Sequence, residues 1–170
     1  MEKFKWFFAG QDEKEEAWLR EMALSGQHLE SLRVPGFYRF SSGKPRNDFY
    51  RLDFIKTPTN DLTAYHKTIN TAGWEYVGQM NSWQYLRRSA KKNEIPELHG
   101  NDEAKAEKYQ RLMVFLVGSI PFLLIFPPMI GKGIEHPYYE ILRVIYFLFL
   151  LFDGFSTMNV YKRIMQLRES

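Results

Sequence analysis

The chain has 170 residues, with 23 Lys and Arg against 20 Asp and Glu, a net charge of +3 and no cysteine. The lack of cysteine excludes disulfide bonds, thiolate metal sites and thiol nucleophiles, and the scattered basic residues give little support for direct binding of nucleic acid. Charge is concentrated in residues 1–110, whereas residues 112–161 are mostly Leu, Ile, Phe, Val and Met, so the two parts of the chain suit different solvents.

Residues 1–89 are predicted to form a domain in which one pattern occurs twice. The first predicted strand is the alternating aromatic run KFKWFF from Lys3, and FYRLDF from Phe49 is its counterpart in the second half. The two repeats cover about residues 3–42 and 49–88. Their alignment places six apolar side chains on one face of the strands: Phe4, Trp6, Phe8, Tyr50, Leu52 and Phe54.

A helix follows the first strand of each half. Asp12 in the first half, and Asp61 or Asn60 in the second, are available as N-caps, while Gly26 and Gly73 end the two apolar stripes. Two further strands close each half, HLESLRV and FYRF in the first, and WEYVGQM and WQYLRR in the second. The predicted order is therefore strand, helix, strand, strand, in both halves.

The predicted fold class of this part is α+β, with both helices on one face of an antiparallel sheet. That arrangement buries four large side chains together: Trp6, Trp18, Leu52 and Tyr65. The other face is less covered, and its mixture of aromatic and charged groups suits a small ligand or a protein partner. The candidate binding residues on that face are Lys5, Phe7, Arg51, Asp53, Trp83 and Tyr85. The alternative is a cross-strand pair of Arg51 or Lys5 with Asp53 beside ordinary surface aromatics.

Residues 90–108 are predicted to be a polar linker, and a transmembrane hairpin is predicted over residues 109–162. The segment RLMVFLVGSIPFLLIFPPMI has no charge for nineteen residues after Arg111, and nineteen helical residues span roughly 28 Å, close to the hydrocarbon thickness of a bilayer. Its prolines are better tolerated in a membrane than in a soluble core helix. With a second apolar run, VIYFLFLLFDGFSTMNVY, the two helices are predicted at about 109–130 and 139–162.

The basic residues predict the orientation of this hairpin. The connector and its edge carry only Lys132 and Arg143, whereas seven basic residues flank the crossings on the other side: Lys92, Lys105, Lys108, Arg111, Lys162, Arg163 and Arg168. By the positive-inside rule both termini face the cytoplasm, so residues 1–89 and the tail 163–170 are predicted to be cytosolic. The expected location is the cell inner (cytoplasmic) membrane, crossed twice, with the lipid bilayer as a partner.

Asp153 lies near the middle of the second predicted crossing, where a carboxylate is costly. It is predicted to form an intramembrane polar contact together with Ser156 and Asn159. One interpretation is a proton or ion site. The favoured interpretation is a helix-packing or oligomer contact, because no second acid or base occurs within the crossings.

Several segments resemble those of an uncharacterised bacterial membrane-anchored family, domain of unknown function 2812. They are EEAWLREMALSGQHL, YRLDF, AGWEYVG and WQYLRR, in that order. The pair Gln27-His28 departs from the pattern, because a tryptophan such as Trp74 is the expected type there. The resemblance implies C-terminal membrane anchoring and a gene often encoded beside a PadR-type repressor. The duplicated order also resembles effector-binding domains of multidrug-responsive regulators.

The sequence contains no recognisable catalytic motif, and its four histidines have no metal-ligand spacing. No catalytic residue, metal site or cofactor is therefore predicted, and the chain is not expected to be an enzyme. We expect a membrane-anchored binding or regulatory protein that senses a small hydrophobic ligand or a protein partner and works with a transcriptional repressor. The alternative is a structural or accessory subunit of a larger membrane complex, or a homo-oligomer held by the Asp153 contact.

Overall fold

The structure, a computed structural model, describes residues 1–55, 59–90, 95–98, 100, 102–130 and 137–169. It confirms the α+β class. The first half comprises β1 (Glu2–Phe4), α1 (Asp12–Leu24), β2 (Gln27–Arg33) and β3 (Phe37–Ser42). The second half comprises β4 (Asp48–Phe54), α2 (Thr59–Thr71), β5 (Glu75–Met80) and β6 (Trp83–Ser89).

The strands form two antiparallel sheets of three strands each, in the orders β1-β3-β2 and β4-β6-β5. Both halves therefore have the same order of elements and the same strand in the middle of the sheet. The pairing is interrupted between Leu29 and Ser31 in β2 and between Tyr76 and Gly78 in β5, so the irregularity also occurs at matching places. Glycines with positive φ follow both helices, as the sequence predicts.

The first strand is paired differently from the sequence alignment. Phe4 pairs with the first residue of β3, and Phe54 pairs with Trp83, the first residue of β6. Phe4 is therefore equivalent to Phe54 and not to Tyr50. The predicted burial of Trp6 is also wrong, because Trp6 lies beyond β1 and its side chain is 47% exposed. An alternating pattern is unchanged by an even shift of register, so it cannot reveal a displacement of four residues.

Helix α1 packs against both sheets in the main core. This core contains nine buried residues: Leu19, Met22, Ala23, Leu29, Tyr38, Phe40, Tyr50, Leu52 and Tyr85. Helix α2 belongs to a separate cluster of Ile69, Trp74 and Leu86, which Tyr65 joins. Because Tyr85 and Leu86 are consecutive on β6, α1 and α2 lie on opposite faces of the second sheet. The expected packing of both helices on one face, with Tyr65 beside Leu52, is therefore corrected.

Two long helices complete the chain, α3 (Asp102–Ile130) and α4 (Pro137–Glu169). Both are long and apolar enough to cross a membrane, over Asp102–Ile125 and Glu140–Glu169. They pack against each other, and the connector, predicted as a short turn, falls mostly outside the described residues. The start of α3 and the end of α4 meet the sheets in a third cluster, formed by Phe54, Tyr109, Leu112, Leu116, Val160 and Ile164.

Candidate functional site

A cavity of about 510 Å³ lies where the two sheets meet the apolar helices. This volume is in the range of small-molecule binding pockets. Its walls on the sheet side include Phe7, Tyr38, Leu52, Trp83 and Tyr85. The helix side contributes Leu112, Phe115 and Leu116 of α3 and Phe152 of α4. The lining is therefore largely aromatic and aliphatic, and it is shared between the sheets and the two apolar helices.

Glu15 of α1 places a carboxylate in the wall of this cavity. The residue is only 6% exposed, and its Oε1 accepts hydrogen bonds from the hydroxyls of Tyr38 at 2.6 Å and Tyr85 at 2.5 Å. Burial raises the pKa of Glu15, and the two tyrosine hydrogen bonds offset this only in part. Among the ion pairs of the described residues, none involves Glu15, so its charge is stabilised mainly by these hydroxyls.

A second group of buried charges closes the free edge of β4. The backbone N–H of Leu52 donates to Glu16 Oε1 at 2.8 Å, and the Leu52 carbonyl accepts from the ammonium group of Lys108 at 3.2 Å. Lys108 also forms an ion pair with Asp12 at 2.5 Å, and the Tyr109 hydroxyl donates to the same carboxylate. Helices α1 and α3 are therefore joined through the edge of a strand.

Glu16 is a carboxyl of this group whose pKa differs from its ordinary value. Burial raises its pKa to about 7, although Lys108 and Arg51 lower it in part. Asp12, which the sequence suggests as an N-cap, is instead the first residue of α1 and is 3% exposed. The two carboxylates thus belong to the packing between α1, β4 and α3.

Four of the six candidate binding residues line the cavity. They are Lys5, Phe7, Trp83 and Tyr85. The ammonium nitrogen of Lys5 lies 4.6 Å from the centroid of a Trp18 ring and 5.1 Å from that of Phe7, an arrangement that stabilises the cation. Tyr85 is 1% exposed, so it belongs to the core at the base of the cavity and not to an open sheet face.

The other two candidates, Arg51 and Asp53, lie on the opposite face of β4. Arg51 forms ion pairs with Glu16 at 3.3 Å and with Glu97 at 3.2 Å, and it lines a separate cavity of about 310 Å³. Asp53 is buried and accepts hydrogen bonds from Arg111 and from the Tyr65 hydroxyl, each at 3.0 Å. The six residues therefore do not form one surface, because alternate residues of a strand point to opposite sides of the sheet.

Comparison with known proteins gives one family. The family described as protein of unknown function (DUF2812) matches residues 11–120. The chain belongs to this family. The match confirms the resemblance that the sequence segments indicate. It covers every strand except β1, both helices of the sheet domain and the first part of α3. No curated protein and no solved structure gives a significant match.

The sequence interpretation of this DUF2812 chain missed the buried acids of α1. Among these acids the sequence suggests a role only for Asp12, as an N-cap, yet Asp12, Glu15 and Glu16 are all buried. Their spacing contains the signal that could have identified them. Positions 12, 15, 16 and 19 lie on one helical face, so the acids continue the stripe that contains Leu19 and Met22.

The polar residues predicted to lie within the membrane are all on α4, and Asp153 contacts α3. Asp153 is 8% exposed, and its Oδ1 accepts a hydrogen bond from the Ser119 hydroxyl at 3.1 Å. Ser156 is fully buried, and Asn159 is half-buried. Within the part of the chain that the structure describes, Asp153 Oδ2 and Ser156 Oγ have no hydrogen-bond partner. Asp153 thus faces the interior of the helix pair.

Proposed function

We propose that this protein is a membrane-anchored binding protein whose cavity takes a small apolar ligand from the lipid phase. The observation that carries this proposal is the position of the cavity, which has one wall on the sheets and the other on α3 and α4. A ligand in this position touches both parts of the molecule. Its binding energy can therefore change how tightly the sheets hold the helices.

Membrane anchoring is supported by the exposure of the two apolar helices. Only 17% of the apolar window in the first candidate span and 11% in the second is buried inside the protein. Side chains such as Val114 and Leu151 are 74% and 68% exposed, which is costly in water and favourable in lipid. A core helix of a soluble protein would be covered by other elements.

The orientation that we propose has both termini in the cytoplasm at the inner membrane. The sheets contact the start of α3 and the end of α4, so a single sheet domain lies at one end of the pair. The basic residues flanking this end, including Arg111 and Lys162, favour the cytoplasmic side.

The equal strand order of the two halves supports an internal duplication.

The biological role that we propose is non-enzymatic sensing. Occupancy of the cavity would be reported to a protein partner, with the transcriptional repressor implied by the family resemblance as the first candidate. The aromatic walls suit an apolar ligand, and Glu15 with its two tyrosines provides a polar group that fixes its orientation. The mechanism requires only binding and a change of contact between the sheets and the helices.

The direct test uses the full-length protein in lipid nanodiscs and the neutral fluorescent probe N-phenyl-1-naphthylamine. We expect saturable binding above that of empty nanodiscs. Trp83→Ala should weaken binding by about tenfold, because Trp83 lines the cavity and lies against Phe54. Tyr76→Ala is the matched control, because Tyr76 belongs to the same sheet but does not line the cavity.

Equal binding by the wild type and Trp83→Ala, with Trp83→Ala still folded by circular dichroism, would contradict the proposal. The absence of saturable binding to the wild type would contradict it as well.

A further inference from the structure

The stretch from Phe4, the last residue of β1, to Phe8 presents exposed aromatic side chains. Phe4, Trp6 and Phe8 are 58%, 47% and 38% exposed, although their size would normally favour burial. The run from Lys3 to Gly10 contains two lysines and no acidic residue. Tryptophan is enriched at membrane–water interfaces, where its ring lies at the level of the lipid headgroups.

This segment lies along the outside of α4. The rings of Phe8 and Phe152 are 5.8 Å apart, those of Phe8 and Phe155 are 5.9 Å apart, and those of Trp6 and Phe152 are 6.3 Å apart. Gly10 lies against Val160, because a Cβ atom built on Gly10 would be 3.8 Å from that side chain. Trp6 and Phe8 are therefore continuous with the apolar surface of a candidate membrane helix, and Phe4 lies beside them against the Phe37 ring of β3, with a ring distance of 5.1 Å.

The length of α4 determines how far the lipid must extend along this contact. From Pro137, where α4 begins, to Leu151, just before the contact, the helix rises roughly 21 Å. The hydrocarbon core is about 30 Å thick, and tilting of the helix would increase the length that is needed. The difference of roughly 9 Å between the helix rise and the core thickness corresponds to about six further residues of α4. The hydrocarbon core must therefore extend along α4 to about the level of Thr157.

Helix α3 gives the same result independently. Leu116 is its last residue in the cluster shared with the sheets, and from Val117 to Ile130 the helix rises only roughly 20 Å. If the hydrocarbon core began only beyond the contacts with the sheets, the remaining length of either helix would be too short to cross it. The layer that both helices require must therefore extend to the exposed aromatics.

We propose that Phe4, Trp6 and Phe8 insert into the membrane surface beside α4 and form a third lipid-contacting element. The partner is the lipid bilayer itself, and the run from Lys3 to Gly10 contains no acidic residue that anionic headgroups would repel. This inference rests on the proposed crossing of the membrane by α3 and α4. Because the same segment forms part of the cavity wall, the cavity then borders directly on lipid.

The experiment exploits the absence of cysteine from the chain. Nitroxide labels are attached to the single variants Phe4→Cys and Trp6→Cys, each of which leaves two of the three aromatics in place. Ile145→Cys, on the exposed face of α4, reports on the membrane crossing, and Tyr76→Cys on the far sheet surface is the aqueous control. The full-length proteins are placed in nanodiscs that contain phosphatidylglycerol and phosphatidylcholine.

Collision of each label with oxygen, which concentrates in lipid, is compared with collision with a water-soluble nickel chelate. We expect labels at positions 4, 6 and 145 to favour oxygen and the label at position 76 to favour nickel. If the label at 145 favours oxygen while those at 4 and 6 favour nickel, the inference is overturned and the membrane crossing stands. A label at 145 that favours nickel overturns the crossing and the inference together.

Discussion

Glu16 illustrates at the scale of one residue how burial couples folding to pH. The folded-state pKa is about 7, above the ordinary value of 4.5 expected for the unfolded chain, mainly because burial disfavours the carboxylate. The folded protein therefore binds this proton more tightly than the unfolded chain. The resulting stability is fully present below about pH 4.5 and is lost as the pH rises through about 7.

Glu16→Gln should remove this dependence, because the amide does not titrate and its oxygen can still accept the Leu52 N–H. Relative to the wild type, the variant should gain on the order of 3 kcal/mol in free energy of unfolding between about pH 4.5 and about pH 7. Denaturant titrations in detergent, followed by near-ultraviolet circular dichroism, measure the difference at each pH. Glu21→Gln, an exposed position on the same helix, is the control. A pH-independent difference for Glu16→Gln would show that the carboxyl is not perturbed.

The limits of the sequence at this scale are illustrated by the acids of α1. An acidic helix start can be interpreted in two ways. Acids stabilise an exposed helix N-terminus, and they are also tolerated in a core when other groups form hydrogen bonds or ion pairs with them. The partners of Asp12 and Glu15 include Lys108 and Tyr85, which are far away in the chain. Only the folded structure brings them together, so no local sequence pattern identifies these partners.

At the scale of elements, the edge of β4 is held by side chains instead of by another strand. Lys108 connects α3 to the Leu52 carbonyl and to Asp12. Lys108→Met keeps an unbranched apolar stem but removes the ammonium group. It should cost about 3–5 kcal/mol, because the buried carboxylate of Asp12 then lacks its cation.

Thermal unfolding in detergent measures this loss, and the double variant Asp12→Asn with Lys108→Met should recover much of it, since no buried charge is then left alone. Lys105→Met is the matched control, because the Lys105 side chain is 31% exposed and forms its ion pairs at the surface. Equal losses for Lys105→Met and Lys108→Met would contradict the assigned role of Lys108.

Sequence patterns predicted the strands and helices more successfully than their packing. The order strand, helix, strand, strand and the two apolar helices follow from local periodicity and from the length of the apolar runs. The register of β1 does not, since Phe4 and Trp6 keep the same alternation after an even shift. Periodicity also does not give the register between two strands. The pairing of Phe54 with Trp83 places Trp83 on the face opposite to Arg51, and this could not be read from the sequence.

At the scale of the whole molecule, the sheets and the apolar helices share part of their core. Phe54 packs with Tyr109 and Leu112 of α3, and the cavity lies between the same elements. Of the six buried residues in the third cluster, only Phe54 lies within residues 1–90. The sheet domain is therefore expected to depend on the first turns of α3 for its stability.

This dependence predicts that a chain of residues 1–90 is less stable than one of residues 1–113. The longer chain keeps Lys108, Tyr109 and Leu112, so it should unfold at a higher temperature and bind less of a dye that reports exposed apolar surface. The difference should be several kcal/mol, because one buried ion pair and two buried side chains are restored. The double variant Tyr109→Ala with Leu112→Ala of residues 1–113 should lose most of this additional free energy of unfolding. If residues 1–90 unfold at the same temperature as residues 1–113, the sheets form an independent unit, and α3 is attached to them without supporting them.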